Sequence, residues 1–387
     1  MKIEQHDPVV VSQAPPDLRN WGPWQFPAIQ RLPDGRFAVG YHVEADSAVA
    51  YGRPPGLSIS EDEGRTWQSA GPDEIAVSNC SEILTLPNGD LLRQVLLRSV
   101  DPAVVLDRLP VSVGKGMGGY GNEITGYDAA KVPTDLAGYR FARLPAGRDV
   151  WEEETATVLI PGAIRTIYMG VLTFPWMHRI AQAPDGALWG IIYTKRFLQG
   201  EISRYSEAIF LRSSDGGRTW DCRSTIPYQP DPEVDTFARD RDGFTEPNLA
   251  FPPDGTMLCL LRTTDGNGIG ALYVSRSNDD GLSWSTPIPF DDCGVWPALV
   301  TLPSGVTLAA YGRPGLYVRA TSDSSGKNWD SRVTVIEPMA YQKDTCSYSD
   351  LLPISNHEVL LAYSDFNFPG AGGHPCKTIL VRKLSIE

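Results

Sequence analysis

Cysteine, basic charge, helical periodicity and long apolar runs are all scarce in this sequence. Its 387 residues hold six cysteines, Cys80, Cys222, Cys259, Cys293, Cys346 and Cys376. None forms a C-x-x-C pair and none lies at zinc-ligand spacing from a histidine. We therefore expect neither a disulfide framework nor a metal site, but mostly buried, small apolar thiols. No run of about 18 apolar residues occurs, which excludes a helical membrane span. The opening stretch, Met1-Lys2-Ile3-Glu4-Gln5-His6-Asp7, has no apolar core of the kind a signal peptide needs. A cytoplasmic location is expected, or a secreted one if a leader has been removed. Lys and Arg total 34 against 47 Asp and Glu, a formal charge of -13. That surface repels phosphate backbones and anionic membranes, so neither nucleic acid nor membrane is an expected partner. An acidic chain can still hold an anionic ligand where the site itself is locally basic.

What the sequence has in abundance is turns, with 37 Gly and 32 Pro. A Pro-x-Gly turn between β-rich segments recurs at Pro33-Asp34-Gly35, Pro87-Asn88-Gly89, Pro184-Asp185-Gly186, Pro253-Asp254-Gly255 and Pro303-Ser304-Gly305. A degenerate sixth copy surrounds Pro353 and Asn356-His357. Each copy reads as strand, tight turn, strand. A second signal, Ser-x-Asp-x-Gly-x-x-Trp, follows three of them: Ser60-Asp62-Gly64-Trp67, Ser213-Asp215-Gly217-Trp220 and Ser277-Asp279-Gly281-Trp284. A worn fourth copy is aligned on Ser322, Ser324, Gly326 and Trp329. Short polar side chains bond the turn's N–H groups, Gly permits positive φ, and Trp covers the turn.

The period implies an all-β chain, a single six-bladed β-propeller domain over residues 1–387 made of four-stranded antiparallel blades. Approximate blades are 21–70, 78–160, 172–228, 242–290, 293–338 and 344–387. Val9-Val10-Val11 is expected to add an outer strand to the last blade and close the ring. From Val100 to Asp149 the glycine-rich sequence predicts a long loop over one face, and its pattern does not suit a phosphate loop.

Aligned on the Pro-x-Gly turns, the first strands begin at Gln25-Phe26, Cys80-Ser81, Met177-His178, Thr245-Glu246, Val295-Trp296 and Ser347-Tyr348. Second strands end near Tyr41-His42, Leu97-Arg98, Tyr193 to Arg196, Arg262, Arg313 and Tyr363 to Asp365. In a propeller these ends share one rim. A carboxylate, a phenol and several guanidinium groups would then surround a locally basic centre, suited to a carboxylate or sulfate ligand.

The Ser-x-Asp-x-Gly-x-x-Trp repeats resemble the Asp boxes of the sialidase superfamily, and the resemblance spans nearly the whole chain. Thr345-Cys346-Ser347-Tyr348-Ser349-Asp350-Leu351-Leu352 is similar to the segment that holds the tyrosine nucleophile of that family. Phe244-Thr245-Glu246-Pro247 through Arg262 is similar to its glutamate and following arginine, and Tyr311-Gly312-Arg313 falls where another arginine of its triad is found. The resemblance implies a retaining exo-glycosidase, without cofactor, acting on a glycan or small acidic sugar. A neutral phenol avoids the repulsion that a carboxylate nucleophile would meet at a sialoside. Its high ordinary pKa calls for an adjacent base. Tyr348 with Glu246 is the implied pair, and Arg262 and Arg313 would clamp the sugar carboxylate. For the acid/base, the stretch His42 to Ser47 offers Asp46 and Glu44, of which Asp46 is favoured.

The first blade departs from the family. Gln25-Phe26-Pro27 stands where a triad arginine is expected, and the Tyr41-His42 region replaces a second. Gln25 and His42 then become substrate-facing candidates, and Arg98, Arg53 or Arg179 is needed to complete the clamp. Two other functions remain open on these residues. One is a related glycosidase, or a lyase using His42 or His178, on rhamnose- or uronate-containing glycans. The other is a non-catalytic carbohydrate-binding propeller.

Overall fold

The computed structural model describes residues 1–71, 82–263, 269–340 and 342–387. The expected rim positions Cys80 and Ser81 lie outside the described residues. The chain runs through successive antiparallel meanders. The first sheet comprises Gln25–Arg31, Phe37–His42, Gly56–Ser60 and Gln68–Ser69. The second holds Leu84–Thr85, Leu91–Val95, Tyr139–Leu144 and Glu152–Leu159, and the third Arg179–Gln182, Leu188–Thr194, Glu207–Ser213 and Thr219–Ile226. The fourth is Phe244–Ala250, Met257–Thr263, Leu272–Ser277 and Ile288–Asp291, and the fifth Val295–Thr301, Thr307–Gly312, Leu316–Thr321 and Val333–Ile336. The sixth is Ser349–Pro353, Glu358–Pro369 and Pro375–Ile386, completed from the N-terminus. Val9–Gln13 pairs with Pro375–Ile386 as expected, and Ile3–Gln5 pairs with its far end as well.

Each Pro-x-Gly turn closes the same way. Gly35, Gly89, Gly186, Gly255 and Gly305 all sit at φ between 83° and 92°, a region that favours glycine. Strands buried on both faces read as continuous apolar runs. Along Met257–Thr263, Cys259 and Leu261 pack toward Trp189 and Phe210 of the third sheet, while Leu258 and Leu260 pack toward Leu299 and Tyr311 of the fifth. The two-residue alternation of a strand thus supplies two interfaces from one segment. The sixth sheet packs on the first in the same manner, with Leu360, Ala362 and Val381 against Ile29, Phe37 and Val39.

Three boxes are built as their sequences imply. In the first, Gly64 N–H donates to Ser60 Oγ (2.8 Å), Thr66 N–H to Asp62 Oδ1 (2.8 Å) and the Trp67 indole to the Gly64 carbonyl (3.2 Å). The worn box is corrected by one residue. Thr321 and Asp323, not Ser322 and Ser324, fill the Ser and Asp places. Asp323 accepts from the N–H groups of Ser325 (2.9 Å) and Asn328 (3.1 Å), and Trp329 donates to the Gly326 carbonyl (2.9 Å). One extra residue between Asp and Gly shifts the register. Asp323→Ala is accordingly expected to lower the thermal unfolding midpoint by a few degrees, and Ser324→Ala to leave it unchanged. Equal effects from the two would refute this assignment. Hydrogen bonds from Ser325 and Asn328 outweigh what burial there is and hold the Asp323 carboxyl down at about 2. Its contribution is therefore complete above the ordinary carboxylate range and is lost as pH falls toward 2.

Two further differences concern the second and third sheets. Thr157–Leu159 pairs in parallel with Thr219–Asp221, so one strand edge covers another and the two sheets join into eight strands. The stretch expected as a long loop is instead structured. Gly114–Met117, Glu123–Asp128, Ile164–Tyr168 and Val171–Leu172 form a separate sheet, with a helical turn at Thr134–Ala137. Its own small core joins Val105, Tyr127, Leu136 and Leu172. Ile202 packs closely over Gly116 and Gly126, where a Cβ would meet that side chain at 3.2 and 2.8 Å and would have to displace it.

Candidate functional site

The first strands of three sheets start with the same irregularity. Phe26-Pro27 and Trp296-Pro297 follow the first residue of their strands and Glu246-Pro247 the second, and Phe26, Glu246 and Trp296 have φ of 55°, 45° and 40°. Register shifts by one residue between Gln25 and Ala28, Thr245 and Asn248, and Val295 and Ala298. These are β-bulges, which re-aim side chains at the end of a strand. Positive φ on bulky residues costs roughly 1–3 kcal/mol each and clusters at functional sites. Opposite the bulges stand His42, Arg262 and Gly312, so Phe26 and His42 in the first sheet occupy the places of Glu246 and Arg262 in the fourth.

Tyr348, at the start of the sixth sheet, meets the bulged residues of three other sheets. Its hydroxyl donates to Glu246 Oε1 at 2.5 Å and accepts from Arg262 Nη1 at 3.0 Å. Arg262 Nη1 also lies 2.6 Å from Glu246 Oε1, and the Trp296 N–H donates to Glu246 Oε2 at 2.9 Å. The Tyr348 ring stacks on Trp296 (4.9 Å between centroids) and meets the edge of Phe26 (4.7 Å). Glu246 is 7% exposed and Arg262 2%. Burial disfavours the carboxylate, but the Arg262 charge and the hydrogen bonds from Tyr348 and Arg262 outweigh it and hold Glu246 below its ordinary range. The buried carboxylate is thus ionised next to a neutral phenol, the arrangement a base needs to accept a phenolic proton.

Arg313 follows Gly312 at the end of its strand and is itself buried. Its Nη2 donates to the Cys346 carbonyl (2.9 Å), and its guanidinium lies between the rings of Trp21 (5.3 Å) and Tyr348 (5.5 Å). Trp21 carried no signal in the sequence as a site residue. It arrives on the segment before the first sheet, and its indole N–H donates to Asp46 Oδ2 at 3.0 Å. Gly22 beside it, at φ 111°, lies under the 44–46 backbone; a Cβ there would stand 2.2 Å from Asp46 N. The loop that carries Asp46 is therefore seated on this glycine.

The structure brings Tyr348, Glu246, Arg262 and Arg313 into one cluster. His42 joins its edge through Phe26 (4.8 Å between rings), and burial lowers the His42 pKa against the opposing charge of Asp46. Asp46 is exposed and reaches the cluster through Trp21, while Glu44 pairs with Arg53 at 3.1 Å. Gln25 is fully buried, and neither end of its amide has a partner among the described residues. Arg98 is exposed on a segment packed over Gly52. Arg179 is engaged elsewhere: its Nη1 reaches Asp350 Oδ1 (3.2 Å), whose other oxygen accepts from Ile29 N–H (3.0 Å). First strands of the third, sixth and first sheets converge on that one carboxylate. Neither Arg53 nor Arg179 supplies the third guanidinium that the resemblance calls for.

The family model described as a BNR repeat-like domain matches residues 165–360. No curated protein sequence matches the chain. Among solved structures, a protein of unknown function from Dyadobacter fermentans superposes with a TM-score of 0.67 at 16% identity, covering 100% of this chain and 99% of that one. The Hadza microbial sialidase Hz136 superposes with a TM-score of 0.52 at 16% identity, over 92% of this chain and 65% of that one. The α-L-arabinofuranosidase Arb93A of Fusarium graminearum gives 0.54 at 13% identity, over 98% of both. At such identities the likeness is one of fold.

Proposed function

Because the chain belongs to the BNR repeat-like domain family, we propose that it is a retaining exo-glycosidase with Tyr348 as nucleophile, built on one closed six-bladed propeller. The observation that carries the reading is the 2.5 Å bond from the Tyr348 hydroxyl to the buried Glu246 carboxylate, with Arg262 on both. In the first step the phenol oxygen attacks the anomeric carbon, its proton passes to Glu246, and the bond to the leaving sugar oxygen breaks. Asp46 supplies a proton to that oxygen. In the second step Asp46 takes a proton from water, the water oxygen attacks the anomeric carbon, and the tyrosyl bond breaks as Glu246 returns the proton. On this reading the substrate is a terminal acidic sugar of the sialic acid class. Arg262 and Arg313 meet its carboxylate, and His42, Gln25 and Arg98 line the first-blade side.

A second reading, hydrolysis of a neutral sugar, is favoured by one observation. Arg262 is already ion-paired with Glu246, and the first sheet offers the uncharged Gln25 and Phe26 where a cation would be needed. A panel of 4-nitrophenyl glycosides, including a sialoside, a uronide and an arabinofuranoside, separates the two. For whichever glycoside turns over, proton NMR is expected to show product released with retained configuration. A fluorinated analogue of that sugar is expected to label the peptide containing Tyr348. Inversion, or a label on Glu246 or Asp46, would end the nucleophile assignment.

A further inference from the structure

An unbroken series of rings crosses the site. From Trp176 the centroid spacings run 5.6 Å to His178, 4.2 Å to Trp296, 4.9 Å to Tyr348, 4.7 Å to Phe26 and 4.8 Å to His42. Contacts at Tyr348 serve the sugar that is cleaved. The arm through Trp296, His178 and Trp176 extends beyond it. Trp176 is 38% exposed, a large apolar face left open at the outer end of that arm. Tryptophan faces of this kind suit the apolar C–H face of a sugar ring.

His178 is the polar group within that arm. Its ring is held by Trp176, Trp296 and, at 5.4 Å, Tyr193. Nδ1 is buried with no hydrogen-bond partner, whereas Nε2 is not among the atoms sealed in this way. Burial in this aromatic setting, aided by Arg179 and Arg262 and opposed by Glu246, pushes the imidazole pKa down to about 4. The ring is therefore neutral at physiological pH and carries one proton. A sealed N–H without an acceptor is the costlier orphan, and an unused lone pair the cheaper one. The proton accordingly belongs on Nε2, which leaves Nε2–H as a donor in search of an oxygen.

We propose that Trp176 and His178 form a subsite for a second sugar ring adjoining the one at Tyr348, with Trp176 stacking on its face and His178 Nε2–H donating to one of its hydroxyls. The proposal rests on the glycosidase reading and names its substrate class: an oligosaccharide rather than a simple glycoside. His178 acts in binding and takes no part in bond cleavage.

The test uses the full chain, with the disaccharides sialyl-α2,3-galactose and arabinobiose as the two-ring probes and the matching methyl glycosides as one-ring probes. His178→Phe keeps the ring packing and removes the donor. It is expected to raise KM for the two-ring substrate roughly tenfold more than for the one-ring substrate, with kcat little changed, the scale of one lost hydrogen bond. His178→Gln, which retains an N–H, should recover most of that loss, and Trp176→Ala should share it. Equal changes in KM for both substrates, or a fall confined to kcat, would overturn the subsite. Nitrogen-15 NMR of the histidine ring decides the donor separately: an Nε2–H tautomer supports it and an Nδ1–H tautomer refutes it. If no glycoside is turned over, the nucleophile reading fails on its own. Titration of the two disaccharides into the labelled protein then decides the subsite, with perturbed His178 signals supporting it and unmoved ones rejecting it.

Discussion

Tyr348→Phe is expected to abolish turnover, by at least about a thousandfold, while the protein stays folded. The two halves of this expectation have separate causes. Turnover is lost because phenylalanine has no oxygen to attack an anomeric carbon, and neither Glu246 nor Arg262 can substitute without leaving the other. Folding persists because the ring keeps its stack on Trp296 and its edge contact with Phe26. Glu246 also keeps Arg262 at 2.6 Å and the Trp296 N–H at 2.9 Å, so no buried charge is orphaned. The hydroxyl's own bonds are worth about 1–3 kcal/mol, an amount a chain of this size tolerates. Rates measured on the best glycoside of the panel, with unfolding followed by circular dichroism, check both halves. A folded variant that still turns over at a tenth of the parent rate would remove Tyr348 from the chemistry.

Much of the arrangement around Tyr348 was readable in the sequence, and the reasons it was readable also mark where reading stopped. Turn chemistry is local, so Pro-x-Gly and the Ser-x-Asp-x-Gly-x-x-Trp boxes announced the meanders. The one box with an inserted residue aligns by spacing on Ser322 and Ser324, whereas Thr321 and Asp323 do the bonding. A worn repeat tolerates two alignments, and only hydrogen bonds choose between them. The sheet that includes Gly114–Met117 resembles a loop in sequence because its glycines hide the alternation of a strand, and pairing across the insertion supplies the order instead. The bulges left a faint trace, a Pro after Phe26, Glu246 and Trp296, that no single copy made informative. Trp21 left none. It lies outside every repeat, and its place between Arg313 and Asp46 is a long-range contact that nothing local encodes.

Arg262→Met is expected to be the most destabilising single change in the site, at about 3–5 kcal/mol, because it leaves the Glu246 carboxylate buried without its cation. The sign of the accompanying pH dependence follows from the present state of that carboxylate. In the parent protein Glu246 is held below its ordinary range, with Arg262 the largest influence working against burial. Its contribution to stability is then complete above the unfolded-state glutamate value of about 4.3 and is lost as pH falls through the depressed folded value. Without Arg262, burial dominates and the folded value rises above the unfolded one. The dependence then reverses: the variant gains stability as pH falls, since protonation relieves the buried charge. Denaturant unfolding of parent and variant at pH 7 and pH 4.5 should therefore show a gap that narrows in acid. Glu246→Gln placed on the Arg262→Met background should close much of the gap at pH 7, because a neutral amide carries no charge to bury. A gap of the same size at both pH values would show that Arg262 stabilises through packing of its stem alone, and that Glu246 is not the ionised base on which the tyrosine chemistry depends.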